Sequence, residues 1–339
     1  MTTGRTGSDY LAGCLDGVKN VMTFAGLFDH LVFFNNSKQT IKRETLINKF
    51  LKKYNFLFNH NKIENLKLNL NSNKFKRLFI KNSPNELNQR EFLISLYETY
   101  NLLLKRKISE SSVIVHHTHG RANTNNFLKY FPNAKLFITI RDPRANLKSG
   151  LLNWFNYDSR SRHMQHIYIY LRRIRDDLNY AISLKNKKIF IKLEESNKKK
   201  TKSKIINFLG VKYDRNIMIS TFANIPWQGD RLSKHKNNNG KFNKSVIYNG
   251  WKKYFSKEDI KILNFLYFNY NGFYKISNLS ILGRFKSFFK VITPFTFEHT
   301  AFRNHKNIFS KKYMFNIIFY LKRVIYIQLL ILGIDIFKV

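Results

Sequence analysis

The sequence predicts an α/β fold of three layers, in which helices cover both faces of a central, mostly parallel sheet. Two apolar runs rich in β-branched residues, at 113–115 and 136–140, are typical of buried parallel strands. The segment between them, at 123–131, has a helical pattern, and Pro143 suits the first turn of a further helix. This alternation of strands and helices favours the α/β class.

A short glycine-containing loop, Gly4-Arg5-Thr6-Gly7-Ser8, opens the chain and precedes apolar residues at helical spacing. Such a loop places backbone N–H groups and a helix N-terminus where a phosphate can bind. It is not a Walker A sequence, because Asp9 stands where a lysine-containing signature would continue. An ordinary glycine turn before a helix is the alternative interpretation.

Polar side chains follow the two predicted strands at the points where those strands end. His119 comes just after the first strand, Arg141 just after the second, and Ser149 lies on the helix that Pro143 begins. Ligands of doubly wound sheets bind at the carboxyl ends of the strands. We therefore expect these three side chains to converge at one edge of the sheet.

With these motifs the chain resembles the sulfotransferases that use 3′-phosphoadenosine-5′-phosphosulfate (PAPS). The loop from Gly4 to Ser8 resembles their 5′-phosphosulfate loop, and Ile140-Arg141-Asp142-Pro143 with Ser149 resembles their 3′-phosphate motif. Thr118-His119 matches a Thr-His pair that carries the catalytic base in the small-molecule branch. The resemblance implies the P-loop-type version of the fold, a donor nucleotide as the cosubstrate and no metal.

The resemblance also implies a role for each matching residue. His119 would be the general base, and Arg5 would contact the transferring group. The residues implied in binding the donor are Gly4, Arg5, Thr6, Gly7, Ser8, Arg141 and Ser149.

The similarity extends roughly from Thr3 to Tyr274. It predicts a sulfotransferase domain at 1–275 with a helical insertion at about 27–110, and a C-terminal helical extension at 276–339. Asp9, Leu193 and Asp142 depart from the small-molecule branch, which favours branches that act on glycans or other large acceptors. The acceptor group would be a hydroxyl or an amine.

The family's phosphate loop follows a buried central strand, whereas only Met1, Thr2 and Thr3 precede Gly4 here. Losing most of that strand would leave unpaired groups on its neighbours. We expect that a chain extended upstream by about five apolar residues would be more soluble and bind nucleotide better.

The chain of 339 residues is strongly basic, with 60 Lys and Arg against 21 Asp and Glu and a net charge of +39. Such a charge attracts nucleic acid, anionic surfaces or anionic substrates. A bias toward A/T-rich codons is a competing cause, and no specific nucleic-acid partner is predicted. Cys14 is the only cysteine and no secretory signal is visible, so we expect a cytoplasmic protein.

The C-terminal segment 317–339 is apolar but is interrupted by Lys322-Arg323, so we expect it to be too short to span a membrane. Three roles remain open for it: peripheral contact with a membrane, packing as a final helix, and pairing with another subunit.

His116, His117 and His119 raise the question of a metal site. On an extended strand His117 and His119 share a face and His116 points away. No cysteine or acidic cluster is adjacent to them in the sequence, so a metal is not expected.

The sequence therefore predicts a PAPS-dependent sulfotransferase. One alternative is a P-loop-type nucleotide kinase, which shares the architecture and needs magnesium. The other is a basic binding protein that has no catalytic activity.

Overall fold

A computed structural model of the chain describes residues 4–36, 38–59, 68–157, 163–229, 239–247, 250–303 and 310–335. The chain divides into two compact units. Unit 1 contains Gly7–Thr139 and Asn186–Val246, and unit 2 contains Ile140–Lys185, Ile247–Val339 and the loop residues 4–6.

Helices and short strands alternate along the chain, which confirms the α/β class. The helices are α1 (Ser8–Leu15), α2 (Arg43–Tyr54), α3 (Phe56–Asn59), α4 (Ser72–Asn82), α5 (Gln89–Leu103), α6 (Gly120–Tyr130), α7 (Pro143–Tyr157), α8 (Met164–Ser183), α9 (Lys199–Leu209), α10 (Trp251–Tyr254), α11 (Lys257–Leu266), α12 (Ile281–Lys290), α13 (His299–Arg303) and α14 (Lys311–Ile331). The strands are β1 (Val21–Met22), β2 (Ile41–Lys42), β3 (Glu86–Leu87), β4 (Val113–Ile114), β5 (Leu136–Ile140), β6 (Lys188–Lys192), β7 (Thr221–Phe222) and β8 (Ile225–Pro226).

The strands pair two by two, so the continuous central sheet expected from the sequence needs correction. Strand β1 pairs with β4 in parallel, with Val21 opposite Val113 and Met22 opposite Ile114. Strand β5 pairs with β6, while β2 with β3 and β7 with β8 form antiparallel pairs. Within the described residues, β4 and β5 therefore belong to separate pairs.

A cavity of about 510 Å³ lies in unit 1 beside both strands. The consecutive residues 113–118 of β4 and its continuation line the cavity, and so do Leu136, Phe137 and Thr139 of β5. Leu11 and Leu15 of α1 also line it. Residues of both strands thus line the same cavity, while the backbone partner of β4 is β1 and that of β5 is β6.

Helix α1 begins directly after the predicted phosphate loop, as the apolar spacing predicts. Leu11, Cys14 and Leu15 are buried, and Gly7 stands at the N-cap position with a left-handed backbone. Cys14 is a free thiol. The helix therefore packs on the core of unit 1 and directs its N-terminus toward the loop.

An aromatic cluster forms the core of unit 1 between α2, α4 and α5. Phe24 stacks on Tyr100 with ring centroids 4.0 Å apart, and Phe50, Phe75 and Phe92 are completely buried beside them. Capping by Asn88, whose side chain accepts from the N–H of Glu91, begins α5. The segment between α1 and β4 thus has its own well-packed helical part.

Unit 2 is built on α7, α8 and the helices that follow α10. Helix α7 begins at Pro143, as predicted. Two buried tyrosines join α8 to the region after α11, since Tyr267 Oη donates to the carbonyl of Leu171 over 3.1 Å and Tyr270 Oη to that of Ile174 over 2.8 Å. These bonds fix the long helix α8 within its unit.

Helix α14 begins before the apolar segment 317–339 singled out in the sequence and ends within it. Its 21 residues, Lys311–Ile331, are long and apolar enough to cross a membrane by length and composition alone, which corrects the expectation of a tail too short to do so. One side of α14 packs within unit 2, where Arg323 and Glu298 form a completely buried ion pair. Asn316 of α14 is also buried and accepts from the N–H of Met164 over 3.1 Å.

Candidate active site

The loop before α1 has an unusual backbone. Gly4, Arg5 and Gly7 all have left-handed φ angles, of 84°, 56° and 78°. A non-glycine residue such as Arg5 rarely adopts this conformation, and such strained positions cluster at functional sites. A Cβ atom on Gly7 would lie 2.3 Å from Cδ1 of Leu193, so this position needs glycine for space as well as for conformation.

A buried carboxylate anchors the far end of α1. Asp16 accepts hydrogen bonds from Thr23 Oγ1 over 2.6 Å and from Thr221 Oγ1 over 2.9 Å. It also pairs with Arg106 Nη1 at 2.8 Å. Because these partners satisfy the carboxylate inside unit 1, the position of α1 is fixed, and with it that of the buried Ser8.

The three histidines after β4 divide between two faces, as the strand alternation predicts. His117 and His119 lie together, with ring centroids 4.6 Å apart. His116 faces an aromatic pocket, where its Nδ1 lies 3.0 Å from Tyr97 Oη and its ring stacks on Phe127. His116 therefore has a packing role, and the other two are candidates for chemistry.

Burial holds two of these imidazoles in the neutral form. It lowers the pKa of His116 to about 3. It also lowers the pKa of His117 well below its usual value, and the neighbouring His119 adds to the effect. At neutral pH His117 thus places no positive charge beside His119.

His119 stands at the start of α6. Its backbone is extended at the N-cap position, and the helix begins at the next residue. The preceding Thr118 is buried, with Oγ1 2.9 Å from Thr124 Oγ1, and Thr124 donates in turn to the carbonyl of Gly120. These contacts fix the backbone on both sides of the predicted base.

Asp9 lies against the same histidines. Its Oδ1 is 3.4 Å from His117 Nδ1, and Asp9, His117 and His119 each offer a ligand atom within 4.8 Å of one another. The sequence analysis expected no metal because no cysteine or acidic cluster accompanies the histidines. Asp9 corrects this in part: it is an acidic residue beside them in the fold, although it is far from them along the chain. The group is able to hold a metal ion, and the absence of a metal requirement stays a prediction.

A second group of candidate residues lies in unit 2 and contains Arg5, Arg141 and Ser149. Arg5 Nε donates to Ser149 Oγ over 3.4 Å, and Arg141 Nη1 donates to the carbonyl oxygen of Arg5 over 3.3 Å. Asn153, one turn further along α7, donates to the same Ser149 hydroxyl over 3.4 Å. Residues predicted from two distant motifs are therefore in contact within one unit.

Asp142 supports the helix that carries Ser149. Its carboxylate accepts from the backbone N–H of Arg144 over 3.0 Å and from the guanidinium of Arg144 over 2.9 and 2.7 Å. The same guanidinium lies 4.0 Å above the ring of Trp251. The departure at Asp142 thus gives α7 a charged cap and an aromatic anchor.

Lys148 is a cation that the sequence reasoning missed. Burial lowers its pKa, and the charge of Arg141 lowers it further. A Cβ on Gly250 would lie 2.7 Å from Lys148 Nζ, so this glycine makes room for the ammonium. Its position directly before Ser149 was the available signal. Lys148 adds a third positive charge to the group of Arg5 and Arg141, which is favourable for an anion.

Comparison with known proteins gives one distant structural match. No protein-family model and no curated protein matches the chain. A solved structure described as a sulfotransferase domain from the curacin biosynthetic pathway is 17% identical, covers 73% of this chain and 87% of its own, and superposes with a TM-score of 0.43. A similarity of this size is too low to assign an activity to the chain.

Proposed function

We propose that this protein is a sulfotransferase that uses PAPS and transfers the sulfuryl group to a hydroxyl or amine of an acceptor. The observation that carries the proposal is the contact of Arg5 with Ser149, together with the bond from Arg141 to the Arg5 backbone. Arg5 therefore contacts both other residues that the sequence motifs assign to the same nucleotide, although Ser149 is 144 positions away along the chain.

The cations of unit 2 would recognise the donor. Arg141 and Ser149 would bind its 3′-phosphate, and Lys148 would add charge to the same site. Arginine suits this task because its planar guanidinium presents several donors to phosphate oxygens. Arg5 would neutralise charge that develops on the bridging and transferring oxygens during transfer. Backbone N–H groups of the phosphate loop would hold the 5′-phosphate; the loop residues are Gly4, Thr6, Gly7 and Ser8.

His119 would act as the general base. The acceptor oxygen or nitrogen forms a bond to sulfur while the bond from sulfur to the bridging oxygen breaks. The leaving 3′-phosphoadenosine-5′-phosphate keeps the electron pair, and the acceptor proton passes to His119. The neutral His117 beside it supports this role, because a charged neighbour would disfavour proton uptake. No step in this scheme needs a metal ion.

Calorimetry with three nucleotides tests donor recognition. We expect 3′-phosphoadenosine-5′-phosphate to bind more tightly than adenosine 5′-phosphosulfate, which lacks the 3′-phosphate, and more tightly than ATP. A preference for ATP with magnesium would favour the kinase alternative. Binding of DNA with steep salt dependence and without nucleotide binding would favour the basic binding protein.

A transfer assay with PAPS and a panel of glycan, phenol and amine acceptors tests the activity itself. The departures at Asp9, Leu193 and Asp142 lead us to propose a glycan or another large molecule as the acceptor.

The buried free thiol of Cys14 is compatible with a reducing compartment, and we propose that the protein works in the cytoplasm.

A further inference from the structure

Helix α12 exposes an unusually large apolar face. Ile281, Phe285 and Phe289 follow one another at helical spacing with exposed fractions of 90%, 64% and 55%. Leu282 of the same helix and Ile292, two residues beyond its end, are also more than half exposed. Contiguous apolar surface of this kind marks an interaction site, whereas single exposed apolar residues are common.

Helix α14 adds a second exposed stripe in the same unit. Met314, Ile318, Leu321 and Ile325 recur at intervals of three and four residues and are all exposed. Helices α12 and α14 are bonded to each other, since Gln328 Nε2 donates to the carbonyl of Phe288 over 3.1 Å. We call the exposed apolar residues named above on these two helices the α12–α14 surface: Ile281, Leu282, Phe285 and Phe289 of α12, and Met314, Ile318, Leu321 and Ile325 of α14.

The charge around this surface identifies its partner. Residues 276–339 contain ten Lys and Arg but only two Asp and Glu. Exposed lysines lie on both helices or beside them: Lys286, Lys290, Lys311, Lys312 and Lys322. An apolar face bordered by lysines is the pattern of helices that lie in the interface of an anionic bilayer.

The packing of α14 indicates that it lies on the membrane and does not cross it. Arg323, in the middle of the helix, is completely buried against Glu298 and donates to the carbonyl of Val291. Crossing the bilayer would separate this ion pair or expose it to lipid, and both outcomes are costly. A shallow position keeps the pair inside the protein and places only the apolar stripe in lipid.

We propose that the α12–α14 surface docks the protein on a membrane surface that contains anionic lipid. The apolar side chains enter the boundary between headgroups and acyl chains, and the lysines contact the anionic headgroups. This proposal is independent of the sulfotransferase proposal, because none of the residues involved belongs to the candidate active site.

Flotation of the full-length protein with vesicles tests the docking. We expect binding to vesicles of phosphatidylcholine with phosphatidylserine, much weaker binding to phosphatidylcholine alone, and weakening as salt rises. Phe285→Glu should reduce binding about tenfold or more, because a buried aromatic side chain is replaced by a charge. Lys286→Glu and Lys290→Glu should each reduce binding to the anionic vesicles about fivefold or more.

Phe268→Glu is the matched control, because Phe268 is an exposed phenylalanine of the same unit outside the α12–α14 surface. It should bind vesicles like the unmodified protein. Circular dichroism and the melting temperature show whether each variant folds, which we expect since all the replaced side chains are exposed. Two results would overturn the proposal: equal binding by Phe285→Glu and the unmodified protein, or light scattering that shows a dimer which Phe285→Glu dissociates.

Discussion

Arg5 donates a hydrogen bond from Nε to the hydroxyl of Ser149 across 3.4 Å. The bond joins the loop at the start of the chain to helix α7, and Arg5 makes it from a left-handed backbone at φ 56°. Arg141 holds the same residue through its carbonyl oxygen. A strained residue held by two partners is preorganised, and preorganised positive charge is what transfer of an anionic group requires.

The first prediction concerns Arg141→Ala. Removing a charged hydrogen-bond partner costs about 1.5–3 kcal/mol, or about 10-fold to 150-fold in affinity. We expect this loss for 3′-phosphoadenosine-5′-phosphate and a much smaller one for adenosine 5′-phosphosulfate, both measured by calorimetry. Arg215→Ala, which removes an exposed arginine of unit 1, is the control. Equal losses for the two nucleotides would contradict the assignment of Arg141 to the 3′-phosphate.

The second prediction concerns Gly7→Ala. The new Cβ would strain a left-handed backbone and meet Leu193 at 2.3 Å, so we expect a loss of about 1–3 kcal/mol in the free energy of unfolding. Gly272→Ala has open space around its Cβ and is the matched control. The double variant Gly7→Ala, Leu193→Ala separates the two causes by denaturant titration. If the double variant loses as much free energy of unfolding as the two single variants together, the contact with Leu193 contributes nothing to the cost of Gly7→Ala.

Local signals in the sequence predicted several elements correctly. Pro143 begins α7, and the apolar spacing after Ser8 forms α1, because both depend on residues close together in the chain. The opposite faces of His116 and His117 follow from strand alternation alone.

Contacts between distant segments could not be predicted in this way. The partner of β4 is β1, a strand of two residues that is too short to show a period in the sequence. Asp9 contacts His117 only because α1 packs beside the segment that follows β4. Nothing in the sequence around Lys148 indicates that the charge of Arg141 acts on it in the fold. The apolar spacing of α12 is also typical of a helix face that is buried in a core. Only the fold shows that, among the residues the structure describes, this face is exposed.

The third prediction concerns metal ions at Asp9, His117 and His119. Since proton transfer by an imidazole needs no metal, we expect full sulfuryl transfer after dialysis against EDTA. Added Zn²⁺ should inhibit, because the three ligand atoms lie within 4.8 Å of one another and binding would occupy the base. Asp9→Asn should weaken this inhibition. Loss of activity in EDTA with recovery on adding a metal would show that the metal is required.

The fourth prediction concerns the pH dependence of stability. The folded protein keeps His116 neutral down to about pH 3, whereas the unfolded chain protonates it near pH 6.5. The unfolded state therefore binds more protons between these values, and stability falls as the pH falls from about 6.5 toward 3. His30 and His117, whose pKa values are also lowered by burial, act in the same direction. Denaturant titrations at several pH values should show a smaller loss for His116→Phe, which keeps a ring beside Phe127. If the free energy of unfolding falls equally with pH in His116→Phe and in the unmodified protein, His116 does not contribute to the pH dependence.

The fifth prediction tests the base. A general base contributes about 10²-fold to 10⁴-fold to the rate, and it acts on the transition state and not on donor affinity. His119→Ala should therefore reduce sulfuryl transfer by this order, while calorimetry should show nearly unchanged binding of 3′-phosphoadenosine-5′-phosphate. His116→Phe is the control, because His116 faces the aromatic pocket on the other side of the strand. It should retain most of the activity at pH 7. If His119→Ala retains full turnover with a competent acceptor, another group accepts the proton, and His117, which lies against both His119 and Asp9, becomes the first candidate to replace.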